Sequence, residues 1–402
     1  MRTFTPSRRR EMCPGSPIST HDSRSTMRTL SIAAAVAAVC AASLLNLPVA
    51  AADPGAVEGV QALPAAATPP DAARTERLLY DTTTARDEPT VASAAVYFPP
   101  GAPPAGGWPV IAWAHGTVGL GDSCACSVGG PAAVDRDWAY LGAWLQQGYA
   151  IVAADYAGLG TPGEHPYLDG VVEAHNVVDA VKAATRSHPE LSAKWAVVGQ
   201  SQGAGAAVTT ARYATEFGGP ELDYRGGVAT GTPAYIEDIL MPLGPGRPPV
   251  ALSPHSTAYL LYILNGLRTA HPELNIESFL TDSGRYWLER ARTECLMPLG
   301  EALGARHVVG GTLFAKPLTD IPDLHGLLAG YLGLPESGYD RPLFLGQGLA
   351  DTDVITPETL RFAAVLTANR QPVTLHTYPT DHNGTVNASL PDSIPFVRNL
   401  FG

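Results

Sequence analysis

The chain has 402 residues, of which 45% are hydrophobic and 16% charged, a balance that supplies a large core and excludes a disordered chain. Its formal net charge is −12, and because the first 52 residues hold six Arg against Glu11 and Asp22, the remainder carries 20 basic and 36 acidic residues. That acidity argues against nucleic acid or an anionic membrane surface as partner and favours a soluble protein with neutral substrates.

Residues 1–52 read as an N-terminal extension and a secretory signal. Met27-Arg28 opens a short positive segment, an apolar run follows from Leu30 to Leu45, and Val49-Ala50-Ala51-Ala52 offers small residues for cleavage, so the protein is expected outside the cell. Residues 1–26 are polar and Arg-rich, which leaves Met1 and Met27 as alternative starts. The apolar run is short for a membrane span. Residues 53–75 are rich in Ala and Pro and read as a linker.

From there, strand patterns alternate with helix patterns. Thr90–Phe98 is β-branched and apolar, and Trp108–Ala114 is a buried-strand run that ends at His115-Gly116. Residues 133–147 carry Trp138, Leu141 and Leu145 at helical spacing, and Tyr149–Tyr156 is the next strand. A helix over 170–187, a strand at Trp195–Val198, a helix over Ala204–Ala214 and a strand at Gly226–Thr230 follow. The pattern resumes with a strand at Pro342–Leu345, a helix over 357–369, a strand at Val373–Tyr378 and a terminal helix over 391–400. Such alternation predicts an α/β fold, a mostly parallel central sheet with helices on both faces. Residues 232–340 break the rhythm with proline runs and apolar helical segments, including Tyr259–Leu264 and Leu324–Leu332. They read as an inserted helical cap within a domain of residues 76–402.

The chemistry concentrates after predicted strand ends, where ligand sites of parallel sheets lie. Gly199-Gln200-Ser201-Gln202-Gly203 matches G-x-S-x-G, with the strand Trp195–Val198 before it and a small-residue helix after it, the context of a nucleophile elbow. The bland alternative is a serine capping a helix. A serine hydroxyl needs a base, and His382, between the last strand and the terminal helix, is the candidate; an ordinary loop histidine is its alternative. The histidine needs a carboxylate to fix its tautomer. Asp351 comes first after the strand Pro342–Leu345, and Asp353 is the alternative. The order Ser201, Asp351, His382 is that of α/β-hydrolases. An oxyanion would be held by the amide of Gln202 and by that of Thr117 in His115-Gly116-Thr117, with Gly116 as the other choice. His165 is expected to line the pocket without acting as base, and Asp381 to order the loop beside His382.

Three cysteines follow the leader, Cys124, Cys126 and Cys295. The odd count implies one bridge and a free thiol, or an intermolecular bond. Near neighbours rarely bridge each other, so Cys295 is expected to pair with one of the other two. No matching Cys/His pair lies at ligand spacing, so zinc is not expected, and acyl transfer on a serine calls for no metal or organic cofactor.

Taken together, Ala114-His115-Gly116-Thr117, Gly148-Tyr149, Asp155-Tyr156-Ala157-Gly158-Leu159-Gly160, His165-Pro166-Tyr167, the elbow, Asp351 and His382 resemble the secretory lipase family, the lipase-A-like branch of α/β-hydrolases. The resemblance spans roughly residues 75–402. It implies the α/β-hydrolase fold, a cap between core strands and hydrolysis of acyl esters, from short esters to triglycerides. It also implies a Cys124–Cys295 disulfide, although the Cys124-Ala125-Cys126 pair departs from a single cysteine and leaves Cys126 as the competing partner. The expected protein is a secreted monomeric carboxylic ester hydrolase with a small-molecule or lipid ester substrate and transient contact with a lipid interface. A polyester depolymerase, a peptidase or an acyltransferase on the same scaffold, and a non-catalytic binding protein of hydrolase shape, are the alternatives.

Overall fold

The computed structural model describes residues 53–245 and 252–402; the leader read over 1–52 lies outside the described residues. Among them the strands are β1 (Val57–Gln61), β2 (Arg74–Thr83), β3 (Pro89–Phe98), β4 (Trp108–Ala114), β5 (Ala150–Ala154), β6 (Leu191–Gln200), β7 (Asp223–Thr230), β8 (Leu343–Gly348) and β9 (Val373–Tyr378). They form one sheet in the order β1-β2-β3-β5-β4-β6-β7-β8-β9. β4 to β9 are mutually parallel, while β1, β2 and β3 add an antiparallel flank through the β3–β5 pairing. The expected mostly parallel α/β-hydrolase sheet is present.

Strand alternation assigns the two faces. Val110, Ala112 and Ala114 of β4 and Trp195 and Val197 of β6 point to one core. Helices α3 (Gly170–Ser187), α4 (Gln202–Gly218) and α10 (Thr356–Ala368) cover it with Val177, Val181, Val208 and Phe362. Ile111, Trp113, Ala196 and Val198 point to the other face, under α2 (Val134–Gln146), α11 (His382–Ala388) and α12 (Leu390–Phe401). The short α1 (Cys126–Gly129) lies between β4 and α2 in the chain.

Between β7 and β8 the chain leaves the sheet for α5 (Ile236–Leu240), α6 (Pro254–Ala270), α7 (Asp282–Ala291), α8 (Leu296–Ala305) and α9 (Leu324–Leu332). This insertion has its own apolar cluster, in which Leu261, Leu264, Leu299, Leu303 and Leu328 are fully buried. Each contributes about 1.5–3 kcal/mol. Leu120 and Tyr167, from loops beside the sheet, join the same cluster and tie the insertion to the core.

Residues 53–75 are not a linker. They contain β1, paired with β2 from Val57↔Tyr80 to Gln61↔Arg77, and a short turn of helix that buries Ala67. The sequence hid this because β1 is an edge strand with both faces largely in water: Val57 and Val60 are 36% and 54% exposed. Its stability comes from backbone ladder bonds, which need no apolar alternation.

The loop after β4 is stapled to the insertion. Cys124 and Cys295 form a disulfide with Cα atoms 5.4 Å apart. Beside it, Leu296 at the start of α8 donates its N–H to Val118 O at 2.8 Å. Cys126 is the free thiol; it is buried, and burial holds its pKa well above the usual thiol range. The bridge spans 171 residues, so its removal releases much unfolded-chain entropy. Replacing both Cys124 and Cys295 by Ser is expected to lower stability by about 2–5 kcal/mol, measured as the shift of the denaturant midpoint under non-reducing conditions.

Candidate active site

Ser201 stands between the end of β6 and the start of α4 with φ 58° and ψ −122°. A non-glycine residue in this region stores on the order of 1–3 kcal/mol of strain. The bonds around it hold the turn: Ser201 N–H donates to Thr230 O at 3.0 Å, and Ser201 O accepts from the N–H of Ala204 at 2.8 Å. The flanking glycines are steric necessities. A Cβ on Gly203 would collide with the carbonyl oxygen of Ala114, and one on Gly199 with that of Gly203. The helix can therefore begin directly under the end of β4, and the half-buried serine faces a cavity.

His382 and Asp351 meet there. His382 Nδ1 lies 2.7 Å from Asp351 Oδ2, with both residues buried. Asp351 Oδ1 accepts the N–H groups of Asp353 at 3.0 Å and Val354 at 2.9 Å, and its Oδ2 also accepts from Gln347 Nε2 at 3.3 Å. An acceptor-only carboxylate with these donors makes Nδ1 the protonated nitrogen and leaves a lone pair on Nε2. Asp353, the alternative carboxylate, lines the cavity and contributes only its backbone to Asp351. His382 is the first residue of α11, not a loop residue; Asp381 caps that helix, accepting the Gly384 N–H at 2.8 Å.

Two residues with no role assigned from the sequence complete this pair. Gly231, just past β7, has φ +63°, and a Cβ there would stand 2.8 Å from His382 Cε1 and 2.9 Å from Nδ1. Gln200, just before the serine, places Nε2 3.0 Å from His382 Nε2. With Nδ1–H directed at Asp351, the Gln200 amide is the donor and occupies the imidazole lone pair. The hydroxyl of Ser201 makes no hydrogen bond among the described residues. Gly231 was recoverable from its place after a strand end; the reach of Gln200 was not.

The cavity that Ser201 and His382 share measures about 350 Å³. The core supplies Thr117, Arg136 and Asn383, and the insertion supplies His255, Tyr259, Leu296 and Met297. Arg136 is held by Asp137 at 2.7 Å and donates to Asn383 Oδ1 at 2.7 Å. A larger cavity of about 450 Å³ lies beside Tyr213, Tyr235 and Glu237 but contains no nucleophile–base pair. Size does not choose the site here.

Of the proposed oxyanion residues, Thr117 lines the cavity and Gly116 does not. The Gln202 N–H lies in the first turn of α4, where backbone donors lack partners within the helix. The Gln202 side chain turns away. Its Nε2 donates to Glu173 Oε1 at 2.7 Å and to His165 Nε2 at 2.9 Å. His165 is thus packed behind the elbow and, contrary to the expectation from the sequence, does not line the cavity of Ser201. Burial pushes Glu173 up to about 8, opposed by the Gln202 hydrogen bond. Burial also pulls His165 down to about 3, helped by His115. At neutral pH both are uncharged, so their 3.6 Å approach is not an ion pair. Among the described residues no cluster of His, Cys, Asp and Glu could hold a metal ion.

Two expectations follow from this geometry. Gly231→Ala pushes a methyl into the imidazole and is expected to lower ester turnover about 100-fold, checked by steady-state kinetics beside a melting curve. The second concerns pH. Glu173 keeps its proton in the folded state, so from its ordinary 4.5 to about 8 the unfolded chain binds fewer protons and stability falls as pH rises. His165 refuses one, so from about 3 to its ordinary 6.5 stability rises with pH. Asp169 and Asp179, both pushed up to about 6, act below the remaining window. Glu173→Gln is therefore expected to flatten the loss of stability between about pH 6.5 and 8. Denaturation midpoints at stepped pH measure it, and a slope equal to wild type refutes it.

Comparison with known proteins adds to this geometry. The secretory lipase family model matches residues 131–322. No curated protein matches the chain by sequence. Candida antarctica lipase A in its closed state is similar in structure, with a TM-score of 0.72 and 22% identity over 87% of this chain and 83% of that one. The rice cell wall degrading esterase LipA from Xanthomonas oryzae is similar at a TM-score of 0.65 and 19% identity, over 86% of this chain and 98% of that one. At these identities the structural likeness establishes the fold. The chain is thus similar to the secretory lipase family over residues 131–322 and to lipase and esterase structures in fold, which supports a hydrolase acting on esters.

Proposed function

We propose that this protein is an exported serine hydrolase that cleaves carboxylic esters through an acyl-enzyme on Ser201. The observation that carries the reading is the His382–Asp351 hydrogen bond of 2.7 Å at a cavity that a strained, solvent-facing serine also lines. The disulfide and the family match support export.

In the proposed cycle the ester carbonyl enters the cavity, and the Ser201 hydroxyl replaces Gln200 as the donor to His382 Nε2. Oγ attacks the carbonyl carbon while its proton passes to Nε2. Asp351 stabilises the imidazolium without taking the proton. The N–H groups of Gln202 and Thr117 receive the oxyanion. Collapse expels the alkoxide, which leaves as the alcohol with the proton from Nε2. Water then repeats the sequence: His382 takes its proton, its oxygen attacks the acyl carbon, and the proton returns to Ser201 as the carboxylic acid departs. This chemistry needs no metal or organic cofactor.

Tyr259, Leu296 and Met297 give the cavity an apolar wall on the cap side, and Arg136, Asp353 and Asn383 give it a polar one. The apolar wall suits the acyl group, and the substrate is a small-molecule or lipid ester.

Ser201→Ala is expected to lower kcat by about 10⁴-fold or more, and Asp351→Asn by about 10⁴-fold, on p-nitrophenyl esters. A fluorophosphonate probe should label the wild type on the peptide carrying Ser201. Ester turnover that survives Ser201→Ala at wild-type rate defeats the assignment.

A further inference from the structure

We propose that the His165–Tyr167 segment, backed by Glu173 and pressed by the cap, is the positioning device of the oxyanion site, fixing Gln202 at one end and Thr117 at the other; this rests on the acyl-transfer reading above. The two proposed donors are far apart in the chain, yet both side chains end on residues two positions apart. Gln202 is buried and spends both amide hydrogens on His165 Nε2 and Glu173 Oε1, at 2.9 Å and 2.7 Å. Thr117 Oγ1 is 2.6 Å from the hydroxyl of Tyr167.

The segment between them is held at each point. His165 Nδ1 donates to Ala157 O at 3.2 Å, which fixes the tautomer that accepts from Gln202. Its ring stacks on Tyr156 at 5.5 Å between centroids. Tyr167 donates its N–H to His165 O at 2.9 Å, closing the segment on itself. The cap completes the clamp. Tyr331 on α9 donates its hydroxyl to Tyr167 O at 2.8 Å. Gly266 on α6 lies so near that a Cβ would stand 2.8 Å from Tyr167 N. A backbone N–H stabilises an oxyanion only where it is already aimed, and a misplacement of about 1 Å costs on the order of 100-fold. Anchoring each donor residue through its side chain supplies that aim without using the N–H itself. The uncharged state of the anchor matters too, because a carboxylate behind the elbow would oppose the oxyanion forming in front of it.

Tyr167→Phe and Gln202→Met, made in the full chain, delete the anchors and keep volume and both backbone donors. With p-nitrophenyl butyrate each is expected to lower kcat about 10- to 100-fold, with KM within about twofold. Affinity for phenylboronic acid, which forms a tetrahedral adduct on serine, should fall in step with kcat. Glu173→Gln, which keeps an acceptor oxygen, should recover at least about tenfold of the activity that Glu173→Leu loses. A lower melting temperature with kcat and boronate affinity near wild type means that the segment is structural only and overturns the inference. Should Gln202→Met fail to fold, Tyr167→Phe decides alone. Failure of the acyl-transfer reading looks different: Ser201→Ala keeps its turnover, or the wild type is not labelled by fluorophosphonate. Labelled wild type, inactive Ser201→Ala and both anchor variants at wild-type kcat sink the positioning role alone.

Discussion

The site depends on a close approach of backbones at one edge of a parallel sheet. β4, β6, β7 and β8 run side by side and end together. α4 then starts so tightly against β4 that only a glycine fits at 203. That fit forces the chain through Ser201 at positive φ, a conformation a loose loop would relax. The surrounding strands hold it because Val197, Val198, Ala112 and Val228 are buried and well packed. The strain is borne by the core and expressed at the serine.

Electrostatics around the elbow divide into two regimes. In front, the buried Asp351 carboxyl is ringed by donors: its oxygens accept two backbone N–H groups, Gln347 and His382. Behind, Glu173 accepts only from Gln202 and the Leu168 N–H, and desolvation outweighs these and pushes Glu173 and His165 each toward its neutral form. A buried charge would need a partner of opposite sign there. The neutral pair instead offers acceptors to one amide, that of Gln202.

The insertion is a second core and a wall of the site at once. Its leucine cluster gives it internal cohesion, and Leu120 and Tyr167 extend that cluster into the loops that border the serine. The Cys124–Cys295 bond joins the same two regions covalently, next to Leu296 and Met297 at the cavity. The cap and the loop after β4 are therefore joined through packing, hydrogen bonds and a covalent link.

Much of this was legible in the residues themselves. A short continuous apolar run such as Trp108–Ala114, bounded by Gly106-Gly107 and His115-Gly116, reads as a strand buried on both faces, and the G-x-S-x-G turn between strand and helix has one local solution, because only glycine tolerates its contacts. The alternation of strands and helices then dictates parallel pairing and a common edge for Ser201, Asp351 and His382. What remained open depended on contacts between distant segments. β1 has no apolar signature, since an edge strand is held by ladder bonds alone. The turn after β8 decides that Asp351, not Asp353, meets the imidazole, by giving Asp351 the backbone donors. The packing of α8 brings Cys295 to Cys124. Nor could spacing reveal that His165 sits behind the elbow or that Gln200 reaches His382. Each of these follows from which side chains share a few ångströms, and a linear pattern records neighbours in the chain, not neighbours in space.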